Sequence, residues 1–150
     1  MIPDMELDPD ADRWDLPIVG FRVNDIWFSG RLYVIAYGEN SGLTLADFPK
    51  VPLRTQIAFG GPFVLSLPDG AEHYLDAAEP WETLVTVLGL RGACIASAQT
   101  DRGGILRIHF ENGSSLVAGP HPQYENWEVA GPGALYLVVP PGGGDPRVAS

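Results

Sequence analysis

The sequence predicts a mostly β (α+β) domain: two pseudo-repeated antiparallel β-units forming a sandwich or partly open barrel, with one linking helix near residues 80–88. Three observations predict it. Eighteen glycines and fourteen prolines punctuate the 150 residues, well above the roughly 12% of average usage, and they separate short apolar runs. Within those runs apolar and polar residues alternate with period two, the signature of a strand with one face buried. A similar succession of residues then recurs about 72 positions further on, as it does when a structural unit is used twice.

The elements follow in chain order. Residues 1–15 hold Asp4, Glu6, Asp8, Asp10, Asp12 and Asp15 against Arg13 alone, which reads as an acidic, flexible tail. Asp8, Asp10 and Asp12 imitate the start of a calcium loop. Arg13 stands where the turn glycine is needed and Val19 where the bidentate glutamate is needed, which excludes calcium there. A single β-rich domain is expected over 16–144 and a short tail over 145–150. Strands are predicted at 18–23, 26–28, 31–37, 53–59, 63–67, 93–98, 127–130 and 134–139. The clearest alternation is in the run from Gly104 to Phe110: Leu106, Ile108 and Phe110 share one face, Arg107 and His109 the other. Asn112-Gly113 then predicts a two-residue type I′ turn into a return strand at Leu116 and Val117. One segment departs from period two. Trp81, Leu84, Val85 and Leu88 fall on a single helical stripe, with Pro80 suited to the first turn and Gly89 to the stop.

The repeat spans about 18–70 and 90–142. Gly20 and Val23 match Gly92 and Ile95; Leu32 and Val34 match Leu106 and Ile108; Leu43 matches Leu116. Ile57-Ala58 then matches Val129-Ala130, and Phe63, Leu65 and Leu67 match Leu135, Leu137 and Val139. Each unit of about four strands has an apolar face, and packing the two faces together buries both.

Composition narrows the function. The formal net charge is -10, the sequence pI is about 4.5 and the mean hydropathy is +0.04. An acidic chain lacks the positive charge that binds nucleic acid, and no apolar run reaches the ~18 residues of a membrane span. The N-terminal residues carry neither the basic nor the apolar region of a secretory signal, so a cytoplasmic location is expected. The single cysteine, Cys94, lies in an apolar run and excludes an internal disulfide. His73, His109 and His121 form no metal-ligand spacing, and no G-x-S-x-G or G-x-G-x-x-G is present. No cofactor, metal site or catalytic constellation is therefore expected. The segment Pro120–Glu128 concentrates recognition chemistry. Two prolines fix a loop that presents His121, Tyr124, Glu125, Trp127 and Glu128, residue types that serve as amphipathic anchors and charges at an interface.

At these residues the chain resembles a family of small uncharacterised proteins frequent in actinobacteria. Their C-terminal half reads G-x-L-x-x-x-F-x-[DN]-G-x-x-L, then P and Y-E-x-W, then G-P and a closing P-G-G. The matching positions are Gly104, Leu106, Phe110, Asn112, Gly113, Leu116, Pro120, Tyr124, Glu125, Trp127, Gly131, Pro132, Pro141, Gly142 and Gly143. The spacing after Gly104 departs slightly, because Ile105 precedes Leu106. The resemblance covers about residues 85–144 and implies no activity. Y-E-x-W endings also occur among small proteins proposed as immunity partners of bacterial toxins, which implies a class of partner. The sequence thus favours a non-catalytic protein-binding domain, in the manner of an immunity protein neutralising a basic toxin domain. The alternatives are a homo-oligomeric scaffold, for instance a homodimer, and a small-molecule binder with its pocket between the two β-units.

Overall fold

A computed structural model describes residues 7–38 and 53–148. Its strands are β1 (Arg13–Asp15), β2 (Arg22–Phe28), β3 (Leu32–Gly38), β4 (Leu53–Phe59), β5 (Pro62–Ser66) and β6 (Glu72–Asp76). A 3-10 helix over Trp81–Leu90 leads to β7 (Ile95–Asp101), β8 (Leu106–Phe110), β9 (Ser115–Ala118), β10 (Trp127–Ala130), β11 (Tyr136–Val138) and β12 (Arg147–Val148). They form two six-stranded antiparallel sheets, ordered β1-β7-β8-β9-β5-β6 and β12-β11-β10-β4-β3-β2. The sheets pack as a sandwich and do not close into a barrel. Inner positions follow the predicted alternation: Leu32, Val34, Ile57, Leu106, Ile108 and Leu116 are all fully buried in one core. Each large aliphatic side chain buried this way contributes about 1.5–3 kcal/mol.

The connectivity occurs twice. Each half lays down a three-stranded meander, β2-β3-β4 or β7-β8-β9, and then crosses to give the other sheet a hairpin, β5-β6 or β10-β11. The register corrects part of the sequence alignment. Val34 pairs with Ile57 and Ile108 with Leu116, so Ile57 corresponds to Leu116. Leu65 pairs with Leu116 and Val129 with Ile57, so Leu65 corresponds to Val129. Ile57 and Val129, matched in the sequence, are instead cross-strand neighbours. The early matches Leu32 with Leu106 and Val34 with Ile108 agree with the register. The later ones slip because the β3–β4 connection, residues 39–52, is much longer than the β8–β9 turn. Leu43 lies outside the described residues.

Where β2 begins, the two sheets are hydrogen-bonded to each other. Arg22 and Cys94 form an antiparallel bridge. Around it Gly20 N–H donates to Ile95 O (2.8 Å), Ile95 N–H to Phe21 O (2.8 Å), Val23 N–H to Ala93 O (2.9 Å) and Gly92 N–H to Val23 O (2.8 Å). Shifting every residue by the repeat length exchanges the first bond with the fourth and the second with the third. A local two-fold axis therefore passes between Arg22 and Cys94. Gly20 and Gly92, at φ 85° and 84°, supply the left-handed turn that enters each strand.

The segment preceding each unit lies against the first strand of the other. Residues 7–15, expected as a flexible tail, belong to the domain: β1 pairs with β7, and Trp14 is buried, its indole N–H donating to Asp8 O (3.0 Å). The guanidinium of Arg102 lies 5.4 Å from the same ring. The segment before the second unit lies against β2 without pairing with it: the helix packs near β2, and Nε of Arg91, just after it, donates to Asn24 O (3.3 Å). The helix's burial follows period three: Leu84, Val87 and Leu90 are buried, while Trp81, Val85 and Leu88 are 58%, 44% and 40% exposed. Side chains at i and i+3 eclipse in a 3-10 helix. Thr83, Val85, Thr86 and Val87 also weaken the α-helical alternative through β-branching. The predicted 3.6-period stripe thus gives way to a row of every third residue.

Two further expectations change. Gly113 has φ 93°, and no non-glycine residue among those described has positive φ. The Asn112-Gly113 turn is therefore not type I′ but a longer loop whose last residue is left-handed, closed by Phe110 N–H donating to Ser114 O (2.9 Å). The expected tail at 145–150 contains β12, which pairs with β11 through Leu137 and Val148. Among the described residues, no helix is long and apolar enough to cross a membrane.

The period of burial is testable by truncation. Leu84→Ala or Leu90→Ala should cost about 2–5 kcal/mol in urea denaturation. Leu88→Ala should stay within about 0.5 kcal/mol of the parent. Equal costs at all three positions contradict the three-residue repeat.

Candidate functional site

The segment Pro120–Glu128 is the crossover that carries the chain from β9 in one sheet to β10 in the other. Asn126 fastens it. Its side chain is buried, and Nδ2 donates to Pro62 O and Gly119 O, both at 2.8 Å, while the Asn126 main-chain carbonyl accepts from Gly60 N–H (2.8 Å). This one side chain ties the β9–β10 crossover to the β4–β5 crossover. Trp127, predicted as a binding anchor, is a core residue: it is fully buried and its indole N–H donates to Gly104 O (2.8 Å). Its place as the first residue of β10, on the inner face, explains why it is unavailable to a partner.

Tyr124 and His121 remain near the surface. Their rings stack with centroids 3.8 Å apart and planes 15° from parallel. Gln123 N–H donates to His121 Nδ1 (3.1 Å), and the His121 carbonyl accepts from Gly142 N–H (2.8 Å), so both ends of the imidazole residue are fixed. The Tyr124 hydroxyl lies over Gly61, where any Cβ would collide with it and approach Asn126 Oδ1 to 2.9 Å. Burial, and then the nearby Asp76 carboxylate, raise the Tyr124 pKa above the ordinary phenol range. With Arg31, Gly60, Ala78, Glu125 and Pro141 it lines a shallow groove of about 530 Å³. Glu125 is exposed at this groove.

Glu128 turns to the outer face of its sheet. Arg31 Nη1 lies 3.2 Å from Glu128 Oε1, and the Tyr136 hydroxyl donates to Oε2 at 2.5 Å. That bond to the carboxylate, followed by burial and the charge of Glu128, pushes the Tyr136 pKa up to about 12. Of the five residues singled out in the sequence, Tyr124 and Glu125 line one groove, and His121 stacks on Tyr124 beside it. Glu128 belongs to a polar triad that shares Arg31 with the groove, and Trp127 belongs to the core. Among the described residues, no three His, Cys, Asp or Glu side chains are grouped to hold a metal ion.

Sequence reasoning passed over the neighbouring strand. Among the described residues β6 is the edge of its sheet, hydrogen-bonded only to β5, and its end adjoins the groove through Ala77 N–H donating to Gly61 O (2.9 Å). Tyr74 at its centre is 78% exposed, with its hydroxyl donating to Glu72 Oε2 (3.0 Å), a bond that raises its pKa. Residues 55–90 contain Asp69, Glu72, Asp76, Glu79 and Glu82 and not one lysine or arginine. Among the described residues, none of these acids is ion-paired. The base-free stretch was the available signal.

The chain matches a known protein family. A model described as a family of unknown function (DUF6188) matches residues 14–146. No curated protein and no solved structure matches the chain.

Two outcomes check the site. Gly61→Ala should cost about 1–3 kcal/mol in urea denaturation and separate the Tyr124 and His121 rings; unchanged tyrosine chemical shifts contradict the close approach. Because the folded Tyr136 pKa stands above the ordinary value of 10.0, its contribution to stability is complete below pH 10.0 and declines as pH rises toward 12. Glu128→Gln should bring the most resistant tyrosine in an absorbance titration back toward the ordinary value.

Proposed function

We propose, for a chain that belongs to this family of unknown function (DUF6188), a role read from its own surface: a non-catalytic domain that binds a basic protein partner. The observation that carries the reading is the acidic edge at β6, within a stretch, residues 55–90, that has no lysine or arginine. An edge strand has one side of its backbone unpaired, and here Glu72, Asp76 and the exposed Tyr74 stand on it. Glu125 and the Tyr124–His121 stack adjoin it at the groove. Unpaired negative charge on β6 steers a cationic surface toward this side, and the exposed Tyr74 gives it something to grip.

An immunity protein that covers the basic active site of a toxin domain fits this surface, and so does cytoplasmic residence. Eight arginines against one lysine suit a GC-rich genome and an actinobacterial source. Self-association through β6 is disfavoured by the same charges. Two copies pairing antiparallel about Tyr74 set Glu72 against Asp76, and like charges directly opposed destabilise a sheet.

The test is calorimetric titration with the basic product of a neighbouring gene, at low and at physiological salt. Affinity should fall at least about tenfold as salt rises, and Glu72→Lys with Asp76→Lys should abolish most of the remainder. Binding that ignores both salt and the substitutions overturns the reading.

A further inference from the structure

The local two-fold axis between Arg22 and Cys94 is flanked by two cavities. The larger, about 770 Å³, is lined by Val19, Gly20, Phe21, Arg22, Asn24, Tyr37, Gly38 and Cys94. The smaller, about 310 Å³, is lined by Arg22, Arg91, Gly92, Ala93, Cys94, Glu111 and Asn112. They are the same place in the two halves. Shifting Val19, Gly20, Phe21 and Arg22 by the repeat gives Arg91, Gly92, Ala93 and Cys94. Tyr37 and Gly38, near the end of β3, have their counterparts in Glu111 and Asn112, just beyond β8. Arg22 and Cys94 line both cavities, so the two adjoin at the bridge.

The duplicated backbone carries different chemistry on its two sides. On the smaller side two guanidiniums converge, Arg22 and Arg91, in a chain of net charge -10. Neither has a carboxylate within ion-pair distance among the described residues. Glu111 lines the same cavity and is bonded to neither. Each guanidinium is instead held by a main-chain carbonyl of the opposite segment: Arg22 Nη1 donates to Gly92 O at 2.6 Å and Arg91 Nε to Asn24 O at 3.3 Å. A carbonyl orients a guanidinium without neutralising it and leaves the remaining N–H groups of the fork for another acceptor. The larger side supplies Phe21, Tyr37 and Val19, an aromatic and aliphatic wall with Asn24 as its polar member.

We propose that this seam binds a small amphiphilic anion, its oxyanion head between Arg22 and Arg91 and its apolar body against Phe21 and Tyr37. The larger cavity, about 770 Å³, lies within the size range of small-molecule pockets. Binding here is independent of the acidic sector around β6, since it uses other residues and the opposite sign of charge.

The test is titration of the full chain with phenyl phosphate, and in parallel with inorganic phosphate, followed by amide ¹H–¹⁵N shifts. Saturable shifts are expected at Gly20, Arg22, Gly92 and Cys94, with phenyl phosphate binding about tenfold more tightly than inorganic phosphate. Arg22→Gln and Arg91→Gln should each weaken phenyl phosphate about tenfold. The rest of the amide spectrum reports that each variant is folded, and the second variant serves if the first is not. Absence of saturation, shifts confined to other surfaces, or retained affinity in both variants overturns the proposal. Equal affinity for the two phosphates overturns the apolar half of the site.

Discussion

Four main-chain hydrogen bonds around Arg22 and Cys94 set the geometry on which the rest of the molecule depends. They join the first strand of one meander to the residues leading into its counterpart, and so fix how the two sheets meet. Glycines at Gly20 and Gly92 let the chain turn into those strands at positive φ, a conformation that L side chains rarely adopt. Beyond the seam, each half delivers its hairpin to the other half's sheet. The sandwich is in that sense an exchange between two similar units, fastened at the crossovers by the two donors of Asn126.

Duplication of the backbone does not duplicate the surface. The segment before the first unit pairs with β7 as a strand, and the segment before the second lies against β2 as a 3-10 helix. Beside the seam, one cavity has an aromatic wall and the other a pair of guanidiniums. At the β6 edge the exposed charge is negative throughout. Cationic and anionic features thus occupy different regions of one small domain, and each proposed interaction draws on groups that the other leaves alone.

Much of this was legible in the chain. Alternation identified most strands, because a residue facing the core must be apolar whichever strand lies beside it. The glycine pair of the seam was legible too, as matched residues at the start of each repeat. The second half of the repeat was misaligned because the link between β3 and β4 shifts the count without altering the apolar pattern. Register is set by pairing partners, which period-two text does not name. The helix was misread for a related reason. Its apolar residues satisfy both a three-residue and a 3.6-residue period over so short a span, and the core took up Leu84, Val87 and Leu90.

The loop around Tyr124 and Trp127 shows the same division most sharply. Residue types alone made both aromatics candidates for contact, and both are large, amphipathic and next to charge. Only the tertiary structure placed Trp127 inward at the start of β10 and left Tyr124 stacked on His121 at a groove. Local sequence determined the strands, the acidity and the punctuating turns, because propensity and charge act over a few neighbouring residues. The seam, the crossovers and the surfaces they assemble were decided by contacts between residues some seventy positions apart, which no local pattern encodes.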